Sequence, residues 1–232
     1  MSSSPVTQSG RIHPADPADP ATALLIDLDG TITDSFPGIS ATFVHAMAAV
    51  GAPEPSAEFL RSVAGPPLID SMTAYGLDAD ASAAAVRAYR ARYEEIGWLE
   101  NRVFDGMAEL LTELAAAGRP LAVATSKHER TAKRILEHFG LAGHFAAIAG
   151  SSEDGTRRSK SQVIEHALSV LGWQPGTTPL VMIGDRSHDV DGAAALRLPA
   201  IAVGWGYALP GEVDEARWTV ETVQELREVL GV

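Results

Sequence analysis

Cysteine is absent from all 232 residues of this sequence. Its absence excludes disulfide frameworks, iron–sulfur clusters, thiolate zinc sites and thiol nucleophiles. Long apolar runs are also missing: no segment has the ~20 consecutive apolar residues of a membrane span. The first 20 residues, MSSSPVTQSGRIHPADPADP, lack the apolar core of a secretory signal, and their composition predicts a disordered tail. We therefore expect a cytoplasmic protein.

Basic residues are few, since 18 Lys and Arg face 30 Asp and Glu, a net charge of −12. This balance argues against nucleic acid or an anionic membrane as a partner, because both need a basic surface. A small anionic substrate remains compatible, since local cations or a bound metal can reverse the field inside a cleft. The 46% of hydrophobic residues predicts a folded protein with a full core. Composition leaves monomer and homodimer equally open.

Short apolar runs alternate with amphipathic segments along most of the chain. The runs predict buried strands at 21–28, 120–124, 145–149, 179–183 and 199–203. The amphipathic segments predict helices at 106–117, 129–139, 161–171 and 190–196. Alternating strands and helices are typical of an α/β fold, here a Rossmann-like, doubly wound parallel sheet.

Residues 36–100 interrupt this alternation. Four segments there, 39–50, 57–63, 68–75 and 81–98, have helical patterns, and no apolar strand separates them. We therefore predict a small, all-helical cap domain inserted after the first strand. The α/β core would comprise residues 21–35 and 101–232.

Polar residues of a few types follow the predicted strands. In an open parallel sheet, ligands bind beyond the carboxyl ends of the strands, so these side chains would meet at one edge. Carboxylates suit Mg²⁺, and a hydroxyl with a lysine suits a phosphate group. The pattern therefore predicts magnesium-assisted phosphoryl chemistry. The residues concerned are Asp27, Asp29, Gly30, Thr125, Ser126, Lys160, Asp185 and Asp189.

The segment DLDGTITDS at 27–35 resembles the first motif of the haloacid dehalogenase superfamily of phosphohydrolases. Thr125 is similar to its second motif, Lys160 to its third, and Asp185 with Asp189 to its fourth. The helical insertion resembles the cap of the phosphoglycolate phosphatase-like branch, as do GPPL at 65–68, GSSEDGTRRSK at 150–160 and GDRSHDVDGA at 184–193. The resemblance covers residues 21–231.

This resemblance implies roles for the four aspartates. Asp27 would be the nucleophile that attacks phosphorus and forms an aspartyl-phosphate. Asp29 would be the general acid and then the general base, and its backbone carbonyl would bind the metal. Asp27 and Asp185 would be direct Mg²⁺ ligands. Asp189 would be either a ligand or a group that orients metal-bound waters or Lys160.

The phosphate group would be bound by Gly30, Thr125, Ser126 and Lys160. Gly30 allows a sharp turn, so that the backbone N–H groups after Asp27 can hold phosphate oxygens. The hydroxyl of Thr125 has an alternative role as an ordinary helix cap. Two arginines close to Lys160 in the sequence are alternative candidates for its phosphate-binding role.

The leading hypothesis is a Mg²⁺-dependent phosphatase acting on a small phosphomonoester, such as phosphoglycolate, a nucleoside monophosphate or a sugar phosphate. One alternative is a sugar-phosphate mutase of the same superfamily. Another is a non-enzymatic, receiver-like phospho-acceptor module, which would form a stable phospho-form.

Substrate selection is expected in the cap, at the loop containing Gly65 and Pro66. Its prolines stiffen the loop, and Gly65 lets the backbone approach a ligand. A plain helix–helix turn is the alternative interpretation.

Overall fold

The computed structural model describes residues 15–232. Six strands of this part form one parallel sheet in the order β5-β4-β1-β6-β7-β8, with β1 in the interior. A short antiparallel pair, β2 with β3, lies apart from it. The strands are β1 (Ala23–Ile26), β2 (Thr33–Asp34), β3 (Arg102–Val103), β4 (Leu121–His128), β5 (Ala147–Ser151), β6 (Leu180–Gly184), β7 (Ala200–Val203) and β8 (Trp218–Val220).

Helices cover both faces of the sheet. They are α1 (Phe36–Ala49), α2 (Ala57–Val63), α3 (Leu68–Ala74), α4 (Ala79–Glu95), α5 (Met107–Ala116), α6 (Glu129–His138), α7 (Lys160–Leu171), α8 (Ser187–Ala195) and α9 (Val223–Leu230). Side chains from α5, α6 and α9 pack on one face, and those from α7 and α8 pack on the other. This is the predicted doubly wound arrangement.

The apolar run in β1 is explained by burial on both sides. Leu24 and Ile26 belong to the hydrophobic cluster on one face, whereas Ala23 and Leu25 belong to the cluster on the other. Successive side chains of a strand point to opposite faces, so a strand covered on both faces needs an unbroken apolar sequence.

Helices α1 to α4 form the insertion between β2 and β3. Those two strands pair where the chain enters and leaves the insertion, with Thr33 opposite Val103. Inside the insertion, the ring of Phe43 packs against Phe59 and Tyr75 at centroid distances of 5.8 and 6.3 Å. The insertion is helical as expected, and its treatment as a separate domain with the bounds given above stays a prediction.

All five predicted core strands and the helices between them are present. The sequence analysis did not predict the last strand and helix, β8 and α9. A three-residue edge strand such as β8 carries too little apolar pattern to be recognised. The fourth cap helix ends at Glu95, and a separate 3₁₀ turn, Gly97–Leu99, follows it. None of the helices in residues 15–232 has the length and hydrophobicity that a membrane crossing requires.

The expected disordered tail is corrected at its core end. Arg119 is buried, and its guanidinium donates hydrogen bonds of 2.6 Å to the backbone oxygens of both Pro17 and Thr22. The Thr22 hydroxyl in turn donates to the Asp16 oxygen at 2.6 Å. Residues 16–20 are therefore held against the core by contacts that composition did not reveal. Residues 1–14 of the predicted tail lie outside the described residues.

Candidate active site

Strand order brings the polar strand ends together. β1 lies between β4 and β6, so Asp27 and Asp185, which directly follow β1 and β6, meet Thr125 of β4 at one edge. The backbone N–H of Asp27 donates to the oxygen of Ile183 at 2.9 Å, which aligns the ends of β1 and β6. The chain is therefore folded so that residues from distant segments share one cleft.

Three of the four predicted aspartates form a carboxylate cluster. One oxygen each from Asp27, Asp185 and Asp189 lies within 4.8 Å of the others, and all three residues are buried. Burial raises the pKa of Asp27 to about 6, with the neighbouring carboxylate of Asp189 adding to the effect against the opposing influence of Lys160. Burial, together with the charges of Asp189 and Asp27, also raises the pKa of Asp185 well above its usual value. Crowded carboxylates of this kind need a cation.

Lys160 supplies one positive charge to this cluster. Its Nζ lies 2.7 Å from Asp27 Oδ1 and 2.6 Å from Asp189 Oδ1, and it donates to the Ala124 oxygen at 2.9 Å. Burial by itself would lower the pKa of this lysine, but the two carboxylates outweigh burial and raise it. The neighbouring Arg157 instead binds the Gly150 oxygen and Glu129. The structure thus places Lys160, rather than this arginine, beside Asp27.

Asp189 has partners on both carboxylate oxygens. While Oδ1 faces Lys160, Oδ2 accepts a hydrogen bond of 3.1 Å from the backbone N–H of Arg186, the residue that precedes α8. The same carboxylate therefore caps this helix, orients Lys160 and belongs to the cluster. Its role as a metal ligand stays a prediction.

Asp29 lies outside the carboxylate cluster. Its Oδ2 is 2.6 Å from the Nζ of Lys127, a lysine that the sequence analysis did not assign to the site. Burial would lower the pKa of Lys127, but the Asp29 carboxylate and the neighbouring Tyr93 raise it. The strand periodicity could have indicated that Lys127 lies at the site: it follows Thr125 by two residues, so both side chains are expected on one face of β4.

The predicted phosphate-binding residues lie around the same edge. Gly30 has φ of +85°, and a Cβ there would lie 2.2 Å from Asp185 Oδ2, so only glycine allows this close approach. The hydroxyl of Thr125 is buried and accepts a hydrogen bond of 3.3 Å from the N–H of Lys127, and Ser126 lies between the two. These positions agree with phosphate binding, which stays a prediction.

The cap loop contacts the fourth motif. The Ala64 oxygen, next to Gly65 and Pro66, accepts a hydrogen bond from Nη1 of Arg186. Arg186 is buried, and its Nε also donates to Glu212 at 2.7 Å. The sequence pattern did not predict this link between cap and core, because its partners are more than 100 residues apart.

The loop after β7 also borders the cleft. The backbone N–H of Tyr207 donates to Asp185 Oδ2 at 2.7 Å, and its hydroxyl donates to Asp34 at 3.1 Å. Trp205 donates from Nε1 to the Thr31 oxygen at 3.1 Å. This loop therefore joins the carboxylate cluster to the strand where the chain enters the cap.

A model of the haloacid dehalogenase-like hydrolase family matches residues 24–203. The chain belongs to this family.

Relatives within the haloacid dehalogenase-like family carry several names. The chain is 49% identical over 220 residues to the tyrosine-protein kinase PtkA of Mycobacterium tuberculosis, covering 93% of this chain and 75% of that protein. It is 43% identical over 195 residues to a 5'-nucleotidase of Pseudomonas aeruginosa, covering 84% and 86%. A crystal structure of a predicted phosphatase from Clostridium acetobutylicum superposes with a TM-score of 0.84 at 37% identity, covering 91% and 99%.

The hydrolase family model, the 5'-nucleotidase relative and the solved phosphatase structure all indicate a phosphatase. The chain is a phosphatase of the haloacid dehalogenase-like family, a phosphoric monoester hydrolase. Phosphatases among its relatives act on small phosphorylated substrates.

Proposed function

We propose that this protein hydrolyses a small phosphomonoester in a Mg²⁺-dependent reaction that passes through an aspartyl-phosphate on Asp27. The observation that carries the proposal is the cluster of Asp27, Asp185 and Asp189 with Lys160 bound between two of its members. A nucleophile, a cation and a set of oxygen ligands thus lie within one buried edge.

The donor set fits magnesium. Three carboxylates that are buried and mutually repulsive offer hard oxygen ligands and an excess of negative charge. Asp27, Asp185, Asp189 and the backbone carbonyl of Asp29 are the groups that would hold the ion. When bound, Mg²⁺ supplies positive charge that stabilises the negative charge developing on the phosphoryl oxygens.

The protein's own groups then divide the chemistry. Lys160 holds Asp27 Oδ1, which leaves Oδ2 of this carboxylate to attack phosphorus. As the bond from phosphorus to the leaving oxygen breaks, Asp29 gives that oxygen a proton, and in the second step it takes a proton from the attacking water. Thr125, Ser126 and the backbone after Asp27 orient the phosphoryl group.

The core contacts only what all phosphomonoesters share. Discrimination among phosphoglycolate, nucleoside monophosphates and sugar phosphates therefore requires the cap, and the loop at Gly65 and Pro66 adjoins the site through Arg186. The 5'-nucleotidase relative supports a nucleoside monophosphate as the first class to test.

The nucleophile is tested by Asp27→Asn, which preserves shape but removes the attacking anion. Turnover of p-nitrophenyl phosphate should fall by at least ~10³, because the covalent route is lost. Asp191→Asn on α8 is the matched control, since Asp191 is exposed, and it should keep wild-type turnover. If Asp27→Asn retained more than about a tenth of kcat, the assignment would be wrong.

Chelation tests the metal. EDTA should abolish turnover and Mg²⁺ should restore it, whereas Asp185→Ala should raise the Mg²⁺ concentration needed. Full activity in chelator would contradict the metal proposal.

A second candidate is phosphoryl transfer to a tyrosine, favoured by the 49% identity to the kinase PtkA. Incubation with γ-labelled ATP and a tyrosine-containing peptide tests this candidate: a kinase labels the peptide, whereas a phosphomonoester hydrolase leaves it unlabelled. A phosphorylated sugar isomer as product would indicate the mutase, and a stable phospho-form without turnover would indicate the receiver-like module.

A further inference from the structure

Lys127 pairs with only one of the two oxygens of the Asp29 carboxylate. Oδ2 lies 2.6 Å from the Nζ of Lys127, and the side chain of this lysine is only 8% exposed. Oδ1 is buried and has no hydrogen-bond partner among residues 15–232. A buried carboxylate oxygen without a partner is unfavourable by itself, so this atom is the one left to face a ligand.

The cap provides the surface on which Lys127 rests. Its Nζ lies 4.8 Å from the ring centroid of Tyr93, which belongs to cap helix α4 and is itself buried. A second tyrosine of that helix, Tyr89, stacks on Tyr93 at 5.6 Å with an interplanar angle of 7°. An ammonium above a desolvated aromatic face is attracted to it, so the Tyr pair favours this position of the lysine.

We propose that Lys127 is a positioning residue for Asp29, and that Tyr93 of the cap holds Lys127 in place. The inference rests on the proposed phosphatase function and extends it. The ion pair fixes the rotamer of Asp29 so that Oδ1 exchanges the proton. In the first step, the Oδ1–H bond breaks and the proton goes to the leaving oxygen, while the P–O bond to that oxygen breaks and the bond from Asp27 to phosphorus forms.

This role predicts an effect that depends on the leaving group. An alkoxide needs a proton in order to leave, whereas p-nitrophenolate leaves without one. Loss of Lys127 should therefore slow attack on an alkyl phosphate but hardly alter attack on p-nitrophenyl phosphate. A lysine that only stabilised the fold would alter both alike.

The test is rapid-quench measurement of phosphoenzyme formation with saturating Mg²⁺, using glycerol 2-phosphate and p-nitrophenyl phosphate. For Lys127→Met we expect a loss of at least ~30-fold with the alkyl substrate and less than ~3-fold with the aryl substrate, since general acids contribute ~10²–10⁴. Lys133→Met is the matched control, because Lys133 is half exposed and pairs with Glu129 on its own helix, α6. Equal losses on both substrates would overturn the inference.

Tyr93→Leu provides an independent variant should Lys127→Met fail to fold. It should slow phosphoenzyme formation selectively with the alkyl substrate, and it should cause no further loss when combined with Lys127→Met. Additive losses in the double variant would refute the proposal that Tyr93 acts through Lys127. Tyr75→Leu controls for damage to the cap, because Tyr75 packs on Phe43 and Phe59 instead. If the wild-type chain forms no phosphoenzyme with either substrate, the proposed function falls and takes this inference with it; equal losses overturn the positioning role alone.

Discussion

Replacing Gly65 by valine perturbs the contact between the cap loop and the fourth motif. Gly65 has φ of +114°, a region in which L side chains are strained, and a Cβ there would lie 2.8 Å from Nη1 of Arg186. Arg186 is poorly placed to move away, because it also binds the Ala64 oxygen and Glu212. The variant can relieve both the strain and the contact by withdrawing the loop from Arg186.

The size of the effect follows from that strain. A non-glycine residue in such a conformation costs about 1–3 kcal/mol, which corresponds to roughly a 5- to 150-fold loss in an equilibrium that needs the loop in place. We expect kcat/KM for the best natural substrate to fall by at least ~10-fold, about 1.4 kcal/mol of transition-state binding. For p-nitrophenyl phosphate the loss should be much smaller, since its phosphate contacts belong to the core.

The assay compares kcat/KM for both substrates in Gly65→Val and in a matched variant, Gly76→Val. Gly76 also lies in the cap and has φ of +98°, but a Cβ there would meet nothing within 4 Å. The control variant therefore carries the same backbone strain without the Arg186 contact, and it should lower stability without changing the ratio between substrates. Equal losses on both substrates in Gly65→Val, with a native circular dichroism spectrum, would show that this loop does not select.

Two further outcomes are expected. Deleting residues 1–20 should lower Tm, measured by calorimetry, by roughly 3–10 °C, because Arg119 loses its charge-assisted hydrogen bond to the Pro17 oxygen, which is worth about 1.5–3 kcal/mol. Deleting only residues 1–14 retains this hydrogen bond and should leave Tm nearly unchanged. Equal Tm values for the two deletions would show that the Arg119–Pro17 contact does not stabilise the fold. Mg²⁺ affinity measured by calorimetry should fall as the pH drops through about 6. The ion binds the deprotonated carboxylate of Asp27, and burial raises the pKa of this carboxyl to about 6. A Mg²⁺ affinity that is independent of pH between 5 and 7 would refute this reasoning.

The alternation of strands and helices could be predicted from the sequence because its signals are local. An unbroken apolar run such as β1 arises from burial on both faces, and helix ends are marked within one turn. α2 has the predicted bounds, Ala57–Val63, because Ser56 caps it and accepts a hydrogen bond from the N–H of Phe59. The clustering of Asp27 with Asp185 was also predictable, since parallel strands end at one edge of a sheet.

The pairings within the site required the tertiary structure. Lys127 and Asp29 are 98 residues apart, and Arg186 and Ala64 are 122 apart, so no spacing along the chain relates them. The sequence contains several basic residues near the motifs, and composition does not show which of them pairs with which acidic group. Only the packing of the strands and the cap decides which carboxylate or carbonyl each cation reaches, because burial makes an unpaired charge costly and therefore selects one partner.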